Sequence, residues 1–164
     1  MPENFPAKER FFMTKSEARD ILFTLVYESE FSPEKSAADI YESAREERGF
    51  ENYRYIKKGL EYIIAEKAYF EKMIDSLADG WNVDRIAPVT KAILTVALYD
   101  IKVKSLAPNI AINEAVELAK KYDADTAPSF VNGILNSAVT ADLPDAADAE
   151  TPAEAQPAAD SADE

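Results

Sequence analysis

The sequence predicts an all-α fold of about six or seven helices, and three observations carry that expectation. Apolar residues recur at helical spacing from residue 14 to residue 139, no stretch alternates as a strand does, and the connections between stripes are short. The run VTKAILTVALYDIKV at 89–103 is apolar around most of its circumference, as a helix at the centre of a bundle should be. No repeat period points to a solenoid.

Each element follows from its own spacing. Ala18, Ile21, Leu22, Leu25 and Val26 form a first stripe across residues 14–30. Ser32, Pro33 and Glu34 supply a serine cap, a first-turn proline and an early acid, so a second helix is expected from there to Gly49. Tyr53, Ile56, Leu60, Ile63 and Ile64 mark a third helix. Phe70, Met73, Ile74 and Leu77 mark a fourth, stopped by Asp-Gly-Trp-Asn at 79–82. The apolar run at 89–103 is the fifth, and Pro108 separates it from a sixth striped by Ile112, Ala115, Val116, Ala119 and Tyr122. The last helix contains Asn-Gly between apolar residues, which is also a hairpin signal. Ala127, Phe130, Val131, Ile134, Leu135 and Ala138 decide for a helix, with Thr126 or Asp125 as cap and Pro128 in the first turn. Gly133 then costs about 1 kcal/mol relative to Ala, which is expected to reflect a backbone or ring packed close against it. Asn132 beside the stripe is either a satisfied core amide or a ligand contact.

The chain has 164 residues, 47% of them hydrophobic, which suits one domain with a real core. It has no Cys and no His, so thiol and imidazole catalysis, disulfides and structural zinc are excluded, and no cofactor or metal is expected. Neither a signal peptide nor a membrane span is visible, which points to a cytoplasmic protein. The net charge of −13 is uneven. Residues 142–164 hold eight acids and no base, leaving 23 acids against all 18 bases, a net of −5, in residues 1–141. Three parts are therefore expected: an N-terminal extension at 1–13, a helical domain at 14–140, and an acidic, disordered tail at 141–164. The tail either keeps the chain soluble or competes with nucleic acid for basic patches.

Little else carries chemistry. Carboxylates such as Glu114 and Glu117 lack the Glu-x-x-His partners of a di-metal bundle, and the glycines at 49, 59, 80 and 133 are isolated, so no phosphate loop exists. Basic residues cluster at 54–58, at Lys120 with Lys121, and in the group Lys8, Arg10, Lys15 and Arg19; each is a solvated face or a phosphate contact.

Three segments together resemble the NusB family of bacterial transcription antitermination factors: ARDILFTLVYESEFS at 18–32, AILTVALYDI at 92–101, and PNIAINEAVELAKKYDADTAPSFVNGILNSAV at 108–139. The last is the most specific, since INEAVELAK followed after a short loop by FVNG is close to a signature. The resemblance implies two small packed helical subbundles that bind single-stranded boxA RNA, best together with NusE, a small-subunit ribosomal protein. That assembly joins the RNA polymerase antitermination complex during ribosomal RNA synthesis and catalyses no reaction. Carried over by motif, Arg19, Tyr27, Phe130 and Asn132 become candidates for an RNA-facing or partner-facing surface, with Lys15 as an addition. Tyr27 and Phe130 also fit as core aromatics.

The chain departs from the pattern in its cations. Lys15, Ser16 and Glu17 stand where an arginine cluster is common, Thr95 where an arginine often follows AIL, and Thr90 where an acid often precedes it. Fewer cations release fewer counterions, so weaker RNA binding with a shallower salt dependence is expected. The alternative is a helical scaffold that keeps the NusE contact with weakened RNA binding. A similar domain precedes RNA cytosine methyltransferase domains, but 164 residues leave no room for a cofactor-binding α/β domain, so no enzyme is expected.

Overall fold

The computed structural model describes residues 13–78 and 85–141. The N-terminal extension up to residue 12, the helix stop at 79–82 and the tail from 142 onward lie outside the described residues. Among the described residues there are seven α-helices and no strand: α1 (Lys15–Glu30), α2 (Ala37–Arg48), α3 (Arg54–Ala65), α4 (Lys67–Leu77), α5 (Pro88–Lys102), α6 (Pro108–Tyr122) and α7 (Ala127–Thr140).

Local chemistry sets the boundaries. Thr14 caps α1, and Gly49 ends α2 in the left-handed region with φ 70°, its amide bonding the Arg45 carbonyl at 2.7 Å. Position 49 thus uses the conformational freedom that glycine alone has without strain. The start of α2 differs from expectation. Residues 32–35 form a turn, and the cap is Ser36, whose hydroxyl accepts the Asp39 amide at 3.0 Å. Prolines open α5 and α6, where a missing amide costs nothing. Thr126 stands at the start of α7 without a side-chain capping bond, and Pro128 sits in its first turn.

The helices pack as two subbundles. α1, α2 and α3 pack on one another, α6 packs on α5 and α7, α4 packs on α5 and α7, and α5 joins the sets by lying against α1 and α3. Ile93, Leu94, Val96, Ala97, Leu98 and Tyr99 of α5 are all buried, each large apolar side chain contributing about 1.5–3 kcal/mol. Side chains from all seven helices form one continuous core. The close approach expected at Gly133 is absent: a Cβ there would meet nothing within 4 Å, because this face of α7 is exposed. Gly59 of α3 is the crowded one, where a Cβ would lie 2.8 Å from Leu22 Cδ2 and 3.3 Å from Tyr99 Cε2. Tyr122, placed on the α6 stripe, is instead 40% exposed, one turn beyond the part of α6 that faces the core.

Candidate nucleic-acid interface

The first turn of α1 is built on a reciprocal cap. Thr14 Oγ1 accepts the Glu17 amide at 3.0 Å, and Glu17 Oε1 accepts the Thr14 amide at 2.9 Å. Lys15 next to it is exposed, with its Nζ 4.8 Å from the centroid of the Tyr55 ring, a cation–π contact.

One turn on, Arg19 points inward and is 6% exposed. Its Nε donates to Asp100 Oδ2 at 2.7 Å, its Nη1 lies 3.5 Å from Glu114 Oε1, and its guanidinium lies over the Tyr55 ring at 5.6 Å. The Tyr55 hydroxyl donates to Asp100 Oδ1 at 2.9 Å, and the Ser16 hydroxyl donates to Glu114 Oε2 at 2.8 Å. Four helices, α1, α3, α5 and α6, are thereby tied together beneath Lys15.

The electrostatics of this network follow from its depth. Burial opposes the charged form of Arg19, but Tyr55, Asp100 and Glu114 outweigh it and hold the guanidinium above its ordinary range. Burial pushes the Tyr55 hydroxyl up, and the Asp100 charge adds to that. Asp100 is 1% exposed, and its burial outweighs the Arg19 guanidinium and the Tyr55 hydrogen bond, so its carboxyl also titrates above the ordinary value. The carboxylate is the more deeply buried of the two, and Asp100 is the member that takes up a proton on acidification.

A strip of aromatic side chains continues along α1. Phe23 is buried, with ring centroids 5.0 Å from Tyr122 and 6.3 Å from Tyr27, and Tyr27 meets Phe31 edge-on at 5.1 Å. Tyr27 is 37% exposed and Phe31 is 61% exposed, so their rings offer open surface. Beside Tyr122, Asp20 accepts from the Tyr122 hydroxyl at 2.6 Å and from Lys121 Nζ at 2.7 Å. The hydrogen bond to Asp20, with its charge, raises the Lys121 ammonium, and burial together with the same carboxylate raises the Tyr122 hydroxyl.

The candidates from the sequence divide between these places. Lys15 and Arg19 meet at Tyr55, with one outside and the other inside. Tyr27 belongs to the aromatic strip. Phe130 is half-buried against the core on the first turns of α7, one short loop beyond Tyr122. Asn132 is exposed, lining a groove between α6 and α7 together with Asn109, Asn113 and Asn136. Sequence reasoning missed Phe31, Tyr122 and Asp100. Phe23, Tyr27 and Phe31 stand four residues apart, an aromatic ridge visible in the spacing, and Asp100 is a lone acid inside an apolar run. An exposed cation at the start of α1 and open rings near its end suit contact with phosphate and with unstacked bases.

Comparison with known proteins identifies the setting. The model of the NusB family matches residues 16–140. The chain is 38% identical over 127 residues to the transcription antitermination protein NusB of Agathobacter rectalis, covering 75% of this chain and 97% of that one. It is 33% identical over 129 residues to the protein of the same name from Natranaerobius thermophilus, covering 76% and 93%. The fold is similar to that of T. maritima NusB, with a TM-score of 0.69 at 22% identity over 81% of this chain and 96% of the other. A family match from the second residue of α1 to the last residue of α7, with relatives aligned over nearly their full length, shows that this chain belongs to the NusB family.

Proposed function

We propose that the chain is a transcription antitermination factor that binds boxA-type single-stranded RNA together with NusE, and so supports processive transcription of ribosomal RNA operons in the cytoplasm. The alignment over 97% of an antitermination relative carries this reading. No reaction is catalysed; the work is recognition. Lys15 meets a phosphate, Tyr27 and Phe130 offer ring surface to bases or to NusE, and Asn132 offers an amide to either. Arg19 acts through Asp100 and Glu114, holding the start of α1 in place beneath Lys15.

One observation favours a second reading, a scaffold that keeps the NusE contact with weakened RNA binding. The Arg19 guanidinium is occupied by carboxylates in the interior, which leaves Lys15 as the exposed cation on the first two turns of α1.

Titration of labelled boxA-type RNA with the protein, alone and with NusE, across a salt series separates the two. The antitermination reading expects sequence-dependent binding that tightens with NusE, with a log–log salt slope of about −0.7 per phosphate contacted. Lys15→Ala should reduce that slope by about one contact's worth. NusE binding without any sequence-dependent gain in RNA affinity assigns the scaffold instead.

A further inference from the structure

Asn132 and Gly133 follow one another in the middle of α7, and both are exposed. Packing does not call for the glycine, since a Cβ at 133 would meet nothing within 4 Å. The pair has a chemistry of its own. Where no side chain crowds the residue after an asparagine, that residue's backbone nitrogen can close a five-membered imide on the asparagine carboxamide.

α7 holds the pair away from this reaction. A helical amide donates to the carbonyl four residues back, which engages the Gly133 nitrogen. Ring closure also needs a ψ at Asn132 far from the helical value of about −42°. Two side chains one turn on fasten the same stretch: Asn136 Nδ2 donates to the Asn132 carbonyl at 2.8 Å, and Ser137 Oγ donates to the Gly133 carbonyl at 3.2 Å. On the inner side Val131, Ile134 and Leu135 are buried, so the pair leaves the helix only by drawing its neighbours from the core.

We propose that Asn132 and Gly133 form a latent self-modification site, inert while α7 is docked and converted to aspartate and isoaspartate when this part of α7 opens. The Gly133 nitrogen bonds to Asn132 Cγ as the Cγ–Nδ2 bond breaks, and the carboxamide nitrogen leaves as ammonia with the proton given up by the Gly133 amide. Water then opens the ring at either carbonyl. One water is consumed and one ammonia released. Opening does not require global unfolding, because regions of a protein open separately, and α7 starts without a side-chain capping bond and carries a glycine at mid-length. Either product sets a carboxylate in the groove between α6 and α7, and isoaspartate also adds a backbone carbon that interrupts the helical hydrogen-bond ladder. The modification stands on α7 itself; a resulting loss of RNA affinity rests on the RNA reading above, in which Asn132 offers its amide.

Full-length protein held in mildly alkaline buffer should gain, at residue 132, the mass that exchanges a carboxamide for a carboxyl. Peptide mass spectrometry should find this gain at least about tenfold slower than in the same chain unfolded in urea. Gly133→Ala should lose the gain in both conditions over the same period. Ile134→Val, which loosens α7, should speed the reaction of the folded chain about two- to tenfold, whereas Ile40→Val in the core of α2 should leave it unchanged. Neither valine variant should alter the rate in urea. No mass gain at residue 132 in urea overturns the site, and equal rates in the folded and unfolded chains overturn the protection. Equal acceleration by the two valine variants makes global unfolding the gate and overturns the opening of α7. The modified chain, separated by ion exchange, should bind boxA-type RNA about tenfold less tightly than the unmodified chain. Equal affinity overturns that consequence. If the unmodified chain binds no RNA while the mass gain follows the expected pattern, the RNA reading falls and the modification site stands.

Discussion

Position 100 holds a carboxylate in the helix that buries the most residues among those described, and its partner Arg19 lies 81 residues away in sequence. Removing one member of such a pair strands the other, so Asp100→Asn should lower stability by about 3–5 kcal/mol in chemical denaturation. A loss below about 1 kcal/mol would show that solvent reaches the Arg19 guanidinium. Acid tests the same site. A carboxyl held above its ordinary value near 3.8 binds its proton more tightly in the folded chain. Its contribution to stability is therefore greatest below that value and declines as pH rises to the folded midpoint. Carbon-detected titration should find the Asp100 midpoint above that of an ordinary aspartate, and a midpoint below it would reverse the balance between burial and Arg19. This site was only partly legible in the sequence. Arg19 stood out by motif and was expected to face a ligand, whereas spacing places it merely at the shoulder of the α1 stripe. Which side of that shoulder is wet depends on α5 and α6, and local periodicity carries no information about them.

Among the elements, two pairs of positions separate local rules from tertiary ones. Gly133→Ala should stabilise the protein by about 0.5–1 kcal/mol, because α7 gains helix propensity and the new methyl meets open space. Gly59→Ala should instead cost about 1–3 kcal/mol, since the methyl would press on Leu22 within a filled core, and thermal unfolding of the two variants reads both signs directly. Likewise Ser36→Ala should cost about 1 kcal/mol and Ser32→Ala far less, because Ser36 holds the capping bond of α2. Helix existence was legible from apolar stripes such as Ile93, Leu94, Val96 and Ala97. The start of α2 was not, because Ser32-Pro33-Glu34 and Ser36-Ala37-Ala38-Asp39 are both acceptable caps by composition. Only packing, which buries Ile40, Tyr41 and Ala44 together, selects between them.

For the molecule as a whole, two subbundles share a single core through α5. Far-ultraviolet and near-ultraviolet circular dichroism should accordingly report coincident unfolding transitions. Two separated transitions would mean that α1–α3 and α4–α7 hold together independently. The subbundle division entered through the resemblance, since stripes announce that a helix is buried without saying against which neighbour. The ion pair between Arg19 and Asp100 has an inheritance of its own, because its two members come from different halves of the gene. A chimera that takes its first three helices from one relative and its last four from another keeps this bond only when the first supplies the arginine and the second the aspartate. Shuffled libraries should thus be rich in survivors whose donors match at these two sites and poor in crosses that supply a lone charge.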